Sequence, residues 1–494
     1  MASLEENGRV LSVDVGSSSV RAALHDASGD AIEGSEVKLD HEFRQTADGG
    51  ATADADGLLG LVAQAIDGAL SHGDSHGAAP IVGVAASTFW HSVLGIDREG
   101  RPTTPILTWA DRRAAETAAD LRGRLDEGEV HRRTGAPLHS SYWPAKLLWL
   151  KNADPEAFDR TQRWLSPGDY FFSRFFGGPP AIGTSMASAT GLYDQNRNRW
   201  DASTLEVLPV DEAQLPTLSD EPRTGLADEW ARRWPVLREV PWFPALGDGA
   251  CSNVGSGCTG SDRLALMVGT SGAMRVLWEA DAVEVPAGPW CYRADRKRFV
   301  MGGALSDGGN LVGWLRETLR LPDPEETETL LSRMEPDSHG LTFLPILNGE
   351  RGPAWADRAN GTISGLAMSN TPVEILRAAM EAVAYRFALI AEMLEEASSG
   401  EKQVIATGGG LLGSPTWTRI MADALGRPVT LSGVKEASAR GATLLALEVL
   451  GGPGIEAQEP PMDETFEPNP DHHEVYREAL ARQRRLYHAV LGED

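Results

Sequence analysis

The sequence predicts an α/β protein of two similar lobes, and three observations carry that expectation. The chain has 494 residues, more than a single hydrophobic core usually serves. Strand-like apolar runs alternate with helix-like ones along its length. A strand–turn–strand device near the start, "LSVDVGSSSVRAAL" (Leu11–Leu24), returns halfway along as "LALMVGTSGAMRVLW" (Leu264–Trp278). Repetition at half-length implies two domains of like build. The expected division is 1–246 and 247–494.

Composition bounds the partners. A net charge of −26 argues against nucleic acid or an anionic membrane as partner. Any anionic substrate must then be met by local cations. Cys251, Cys258 and Cys291 are too few for a disulfide framework and lack metal-ligand spacing, which favours a reducing cytoplasm. The opening "MASLEENGRV" carries no apolar signal core, and no run reaches membrane-spanning length. "HGDSH" (His72–His76) and "DHH" (Asp471–His473) match no known ligand spacing. They are expected as a surface loop and a helix cap.

Taken in chain order, Val10–Val15 is expected as a buried strand, Gly16–Ser19 as a turn and Val20–Leu24 as the returning strand. A dinucleotide fingerprint or a P-loop runs from strand into helix, so both are excluded here. Gly16 lets the backbone approach an anion, and Ser17, Ser18 and Ser19 offer donors. Asp14 would repel a bare phosphate, and a metal ion between them reconciles the two. A plain Ser-rich hairpin remains the alternative. In "GDGACSNVGSGC", Asp248 sits at a Gly-flanked turn before a helix start. It is either an N-cap or a carboxylate held ionised there to accept a proton, and the two roles are compatible.

The second hairpin turns at Gly269, Thr270, Ser271 and Gly272. "SDGGNLVGW" places Gly309 and Asn310 at another helix start. A helix over 371–397 opens with Thr-Pro-Val-Glu, a capping box with Pro at N1. Ile375, Ala379, Val383, Phe387 and Ile390 form its core stripe. Gln403–Thr407 is a strand, Gly408, Gly409 and Gly410 its turn, and Ser414 the cap of a helix with Pro415 in its first turn. Pro468 and Pro470 lead into a closing helix docked by Tyr476, Leu480 and Tyr487.

The two hairpins, "VDVGSSSVRAAL" and "MVGTSGAMRV", resemble the phosphate loops of the actin/hexokinase/Hsp70 ATPase fold. Within that fold they look like those of the FGGY carbohydrate kinases. "STFWHSVLGIDREGRPTTPILTWADRR", "TGAPLHSSYWPAKLLWL", "GTSMASATGLYD", "GDGACSNVGSGC", "NGERGPAWADRANGTISGL" and "IATGGGLLGSPTWTRIMADALGRPV" follow in the family's order. The resemblance therefore covers nearly the whole chain. It implies two ribonuclease H-like domains with a catalytic cleft between them, and ATP-dependent phosphorylation of a sugar hydroxyl. The first domain would bind sugar and carry the first phosphate loop, and the second would bind nucleotide.

By resemblance, Asp248 is the general base and Asp14 reaches Mg²⁺ through water, with Asp248 also on the metal side. Gly16, Ser17, Ser18, Ser19, Gly269, Thr270, Ser271 and Gly272 cradle phosphate. Gly408, Gly409, Gly410 and Ser414 serve the adenosine side. Arg21 either steadies the transferred phosphoryl group or is a cross-strand surface residue. Gly309 and Asn310 touch nucleotide, although Asn310 serves capping equally well. Trp90, His91, Trp109, Asp111 and Tyr142 lie on the sugar side, where Trp109 is alternatively core. Arg112 and Arg113 alternatively solvate the next helix.

The segments "HSVLGIDREGRPTTPILTWADRR", "GTSGAMRV" and "NGERGPAWADRANG" lean toward gluconate kinases. D-gluconate is therefore the expected acceptor and D-xylulose the second choice. A catalytically weak sugar binder on the same fold is the rival from another class. Phe89 and Trp90 depart from the family's usual smaller residues. Gluconate is an anion, so a cation should meet its carboxylate, and His91, Arg112 and Lys146 are the candidates by position. A homodimer is implied at family level only.

Overall fold

The opening hairpin forms as its residues dictate. Arg9–Val15 pairs antiparallel with Ser19–His25, with Val15 opposite Val20 and Asp14 opposite Arg21. Val10, Leu11, Val13 and Val15 are all buried, so both faces of this strand are covered, as its near-continuous apolar run requires. The helix Ala55–Gly73 packs on the returning strand, and the helix Ala437–Val449 packs on Arg9–Val15 and Ile81–Thr88. The computed structural model describes residues 8–73, 79–356, 359–397 and 402–491. Asp74, Ser75 and His76 of the "HGDSH" stretch lie outside the described residues.

The chain divides into two compact units. One contains the residues up to Thr259 with Leu277–Val300 and Glu436–Glu459; the other contains Gly260–Val276, Met301–Lys435 and the residues from Pro460 onward. Asp248 therefore clusters with the first hairpin, as does the helix Ala437–Val449 from far down the chain.

The first unit is organised by a five-stranded sheet in the order Leu246–Gly247, Ile81–Thr88, Arg9–Val15, Ser19–His25, Val37–Asp40. Its first three strands are parallel, and the hairpin return and the last strand are antiparallel. In the second unit Arg263–Val268 pairs antiparallel with Gly272–Glu279 and parallel with Gln403–Thr407. Val429–Ser432 continues the parallel run, and Met462–Phe466 closes it antiparallel. A hairpin with a parallel third strand on its first arm thus occurs in each unit, and the repeat visible in the sequence is a repeat of fold.

Helix boundaries follow their capping chemistry. Thr371 and Glu374 form the expected box, the amide of Glu374 donating to Thr371 Oγ1 at 3.3 Å and that of Thr371 to Glu374 at 2.6 Å. Ala379, Val383, Phe387 and Ile390 are fully buried, whereas Ile375, one turn earlier, is half-exposed and Leu376 takes its core place. The last helix, Pro470–Leu491, docks through Tyr476, Leu480 and Tyr487. Its cap is Asn469, whose side chain accepts from the amide of Asp471 at 2.9 Å, so "DHH" is the first turn and not the cap. His472 and His473 both turn to Asp423. Among the described residues no helix is long and apolar enough to cross a membrane.

One cap carries a titration. Ser166 and Asp169 form a capping box at the start of Pro167–Phe176, and Asp169 is 3% exposed. Burial lifts its carboxyl from 3.8 to about 7, outweighing the Ser166 bonds that lower it. A group whose folded pKa lies above its unfolded one stabilises the fold at low pH and loses that contribution as pH rises through the folded value. Thermal unfolding of Asp169→Asn should therefore show a smaller fall in Tm between pH 5 and pH 8 than the parent. An unchanged pH profile would mean that Asp169 is ionised throughout that range.

Candidate active site

Strand register builds the first half of the site. Asp14 lies opposite Arg21 on one side and Ser87 on the other, and Ser87 lies opposite Leu246. Residues in register across neighbouring strands point to one face, so these side chains form a row just before the strands end. Ser87 Oγ donates to the Asp14 carboxylate. Burial pushes the Asp14 carboxyl above its ordinary value, and Ser87 and Arg21 pull it back in part. Arg21 lies 4.0 Å from Asp14 and 3.2 Å from Glu436. It is thus held between two carboxylates and is not a surface cross-strand residue. Glu436 was missed in the sequence because 415 positions separate it from Arg21.

The turn beyond is shaped for access. Gly16 and Ser17 are half-buried and Ser18 is exposed. Ser19 is buried, and its hydroxyl has no hydrogen-bond partner among the described residues.

Asp248 follows directly on the last strand of the row. Gly247 is the N-cap of the helix Asp248–Gly255 and Asp248 its first residue, which corrects the N-cap expectation by one position. Its carboxylate accepts the amide of Gly249 at 2.7 Å and is half-buried. The positive end of the helix dipole favours its ionised form there. Three contacts fix this turn. The amide of Gly247 donates to Ser185 Oγ at 3.1 Å, and Ser438 Oγ donates to the Asp248 carbonyl at 3.3 Å. The Trp90 indole lies flat against the turn: a Cβ at Gly247 would come within 1.8 Å of it, and one at Gly249 within 2.5 Å. Only glycines on both sides of Asp248 allow this approach. Beneath, burial together with the charges of Asp14 and Asp248 pushes the Cys251 thiol well up, which keeps it neutral.

An aromatic cluster stands beside this turn. Trp90 packs edge-on against Trp290 and Tyr292, and His91 against Tyr142 and Tyr292 with ring centres 4.9 and 5.4 Å apart. Tyr142 and Tyr292 share a short hydroxyl–hydroxyl hydrogen bond. Trp290 and Tyr292 escaped sequence reasoning, since nothing local in "GPWCYRAD" marks them. His91 has φ of +63°, a conformation a non-glycine residue rarely adopts. Its Nδ1 meets the Ala189 carbonyl at 2.7 Å, and its own carbonyl accepts from Lys146 at 3.0 Å.

Lys146 is therefore a clamp. It is 1% exposed and also donates to the carbonyls of Thr108 and Ser141, each at 2.7 Å. Three donors on three carbonyls account for the ammonium, which corrects its candidacy for a substrate carboxylate. Asp111 is buried and accepts from Arg113 at 2.6 Å and from the amide of Ala51 at 3.1 Å. Arg113 stacks over Trp149, so it braces the wall and does not merely solvate a helix. Trp109 is half-buried and not core.

In the second unit three predicted segments converge. The amides of Gly309 and Asn310 donate to the carbonyls of Gly269 and Thr270, at 2.7 and 3.1 Å. A Cβ on Gly309 would reach 2.6 Å from the Gly269 carbonyl oxygen. Gly408 has φ of +89°, and its Cα lies against the backbone of Val268, the residue before the hairpin turn. Gly409 and Gly410 begin a short helix, Gly409–Leu412, and are not an open turn. Thr270 and Gly409 are exposed. Gly308 is the N-cap of the helix Gly309–Thr318 and Asn310 its second residue, whose Oδ1 accepts the Gly308 amide at 2.8 Å and whose Nδ2 donates to Asp307 at 3.1 Å. Ser414 caps Pro415–Leu425 and donates to Glu328 at 2.8 Å. Asp307, unremarked in the sequence, is buried and accepts the backbone and side chain of Asn348.

Among the described residues, one group of side chains has metal-ligand proximity, Asp337, His339 and Glu381. Glu381 there accepts from His339, Arg377, Tyr385 and Tyr476, a satisfied structural network.

The N-terminal domain of the FGGY family of carbohydrate kinases matches residues 9–255, and its C-terminal domain matches residues 264–448. The chain is similar to a gluconokinase of Bacillus subtilis, 28% identical over 90% of this chain and 88% of that one. The structure is similar to a gluconate kinase from Lactobacillus acidophilus, with TM-score 0.89, 27% identity and 99% of each chain covered. A xylulose kinase from the same organism superposes equally well, with TM-score 0.89, 27% identity and 98% of this chain and 99% of that chain covered. With an ATPase-type hairpin in each unit and family matches across both, the chain belongs to the FGGY family of carbohydrate kinases and is a sugar kinase that uses ATP.

Proposed function

We propose that the enzyme phosphorylates D-gluconate at its terminal hydroxyl. The observation that carries this reading is Asp248: a half-buried carboxylate at the first position of a helix, locked by Trp90, Ser185 and Ser438 and adjoining the Asp14 row. The similarity to gluconokinases over nine-tenths of the chain supports gluconate as the acceptor.

In this mechanism Asp248 takes the proton of the sugar hydroxyl as its oxygen bonds to the γ-phosphorus of ATP, and the bond from phosphorus to the ADP oxygen breaks. Such transfer depends on placement and charge stabilisation more than on covalent help. Thr270, Ser271 and Gly272 would hold phosphate, their turn braced by the Gly309 and Asn310 amides that donate to Gly269 and Thr270, with Gly408–Gly410 at the adenosine and Ser414 behind them as a cap. The Ser17–Ser19 turn with Arg21 would meet the transferred group. The unpartnered hydroxyl of Ser19 supports that role. The hard oxygen donors of Asp14 and Asp248 fit Mg²⁺, and the raised pKa of Asp14 is what a nearby cation would offset. Bound there, Mg²⁺ would neutralise charge on the phosphates. Trp109, with Trp90, His91 and Tyr142, would line the sugar, braced by Asp111. Arg112, half-buried next to the Asp111–Arg113 pair, would meet the gluconate carboxylate.

A coupled ADP-release assay across gluconate, xylulose, glycerol and ribulose tests the acceptor. Gluconate should give the highest kcat/KM, by at least about tenfold. The equal superposition on a xylulose kinase makes xylulose the second reading, and preferential turnover of xylulose would replace the first.

A further inference from the structure

A cavity of about 250 Å³ lies within the first unit, and none of Asp14, Ser87 or Asp248 lines it. Its floor is apolar: Ala85 and Ala86 in mid-strand, Phe243 and Leu246, and Ala446 and Val449 on the helix Ala437–Val449. Two of these positions flank the site elements. Ala86 precedes Ser87, and Leu246 precedes the Gly247 turn. Ala446 lies about two turns beyond Ser438 on the same helix. Alanines where larger side chains would fill the space are what leave the cavity open. Val449 at the mouth is 56% exposed, so apolar surface there faces solvent, which is unfavourable until covered.

The rim is charged, and its balance is informative. Arg296 pairs with Asp220 at 2.6 Å, and Arg298 with Asp295 and Glu448 at 2.7 Å each. Every acidic residue lining the cavity is thus engaged by an arginine. Lys297 also lines it, is exposed, and has no carboxylate partner among the described residues. The rim thus carries three acidic and three basic side chains, and Lys297 is the basic one that no carboxylate holds.

We propose that this cavity is a binding site for a small amphipathic monocarboxylate, its apolar body on the alanine floor and its carboxylate at Lys297. The size suits a ligand of about ten non-hydrogen atoms. The floor is continuous with the strands and helix that place Ser87 and Asp248, so an occupant would contact the back of the catalytic framework without touching the reacting groups.

Isothermal titration of the full chain with 3-phenylpropionate tests the proposal. Saturable one-to-one binding is expected, with Kd between roughly 0.1 and 1 mM. The neutral 3-phenylpropionamide should bind about five- to tenfold more weakly. Lys297→Ala, on the surface, should weaken the acid by that factor and leave the amide unchanged, closing the gap between them. Ala446→Phe should fill the floor and abolish both, with its melting curve confirming a folded protein. Asp248→Asn should bind as the parent does, which separates this site from the acceptor site whatever the acceptor proves to be. Absence of saturable binding, binding that survives in folded Ala446→Phe, or an acid–amide gap that persists in Lys297→Ala would each overturn the proposal.

Discussion

Asp248→Asn should lower kcat by on the order of 10²–10⁴ while calorimetric affinity for the sugar stays within about threefold. The substitution keeps the shape of the side chain and an oxygen for the Gly249 amide, which now donates to it at 2.7 Å. It also keeps the glycines that admit the Trp90 indole. What it removes is the capacity to take the hydroxyl proton. Initial rates and titration on the same sample separate the two effects. Unchanged turnover would place the base elsewhere, and joint loss of turnover and binding would make Asp248 an architectural residue.

The second large effect is expected at a crossing of two helices. Asp248–Gly255 packs on Ala437–Val449 with Gly255 and Gly441 at the point of contact. A Cβ on Gly441 would lie 1.8 Å from the Cys251 carbonyl oxygen, and one on Gly255 1.8 Å from that of Ala437. Both obstacles are backbone, so no side chain can swing away. Gly441→Ala should cost about 3 kcal/mol and lower Tm by roughly 5–10 °C. Whatever remains folded should turn over more slowly, because the same crossing holds Ser438 on the Asp248 carbonyl at 3.3 Å. Gly313→Ala is the control. No atom stands within 4 Å of its Cβ, and in a helix interior alanine is the better residue. A melting curve in which the two variants behave alike would remove the crossing as the cause.

What could be read from the chain was what local chemistry encodes. The two hairpins announce themselves because apolar strands flank a turn of small residues. Ser414, Thr371 and Glu374 are legible as caps because a side chain three positions from an amide can reach it. The limits have the same origin. Asp248 reads as an N-cap because Asp outranks Gly at that position, yet the helix is capped at Gly247 and Asp248 is its first residue. Gly409 and Gly410 look like an open turn, yet the chain coils into a short helix there.

Long-range partnerships left no local mark. Glu436 meets Arg21, Trp290 and Tyr292 join Trp90 and His91, and Lys146 gathers three carbonyls. A lysine in an apolar helix stretch looks like a surface residue or an anion ligand. Only the tertiary fold shows that backbone oxygens surround it. The sugar side was accordingly less legible than the phosphate side, since phosphate is met by turns and helix starts, whereas the sugar-side wall is assembled from distant side chains.

The first unit completes itself with Glu436–Glu459, drawn from beyond most of the second. On the ribosome, the sheet around Asp14 must therefore wait for its covering helix until nearly the entire polypeptide has emerged. Late sequence-distant closure of this sort slows folding and prolongs exposure of apolar strand faces. Nascent chains of this enzyme should accordingly be clients of holding chaperones, and premature termination anywhere before that helix should yield insoluble fragments and no half-sized working unit.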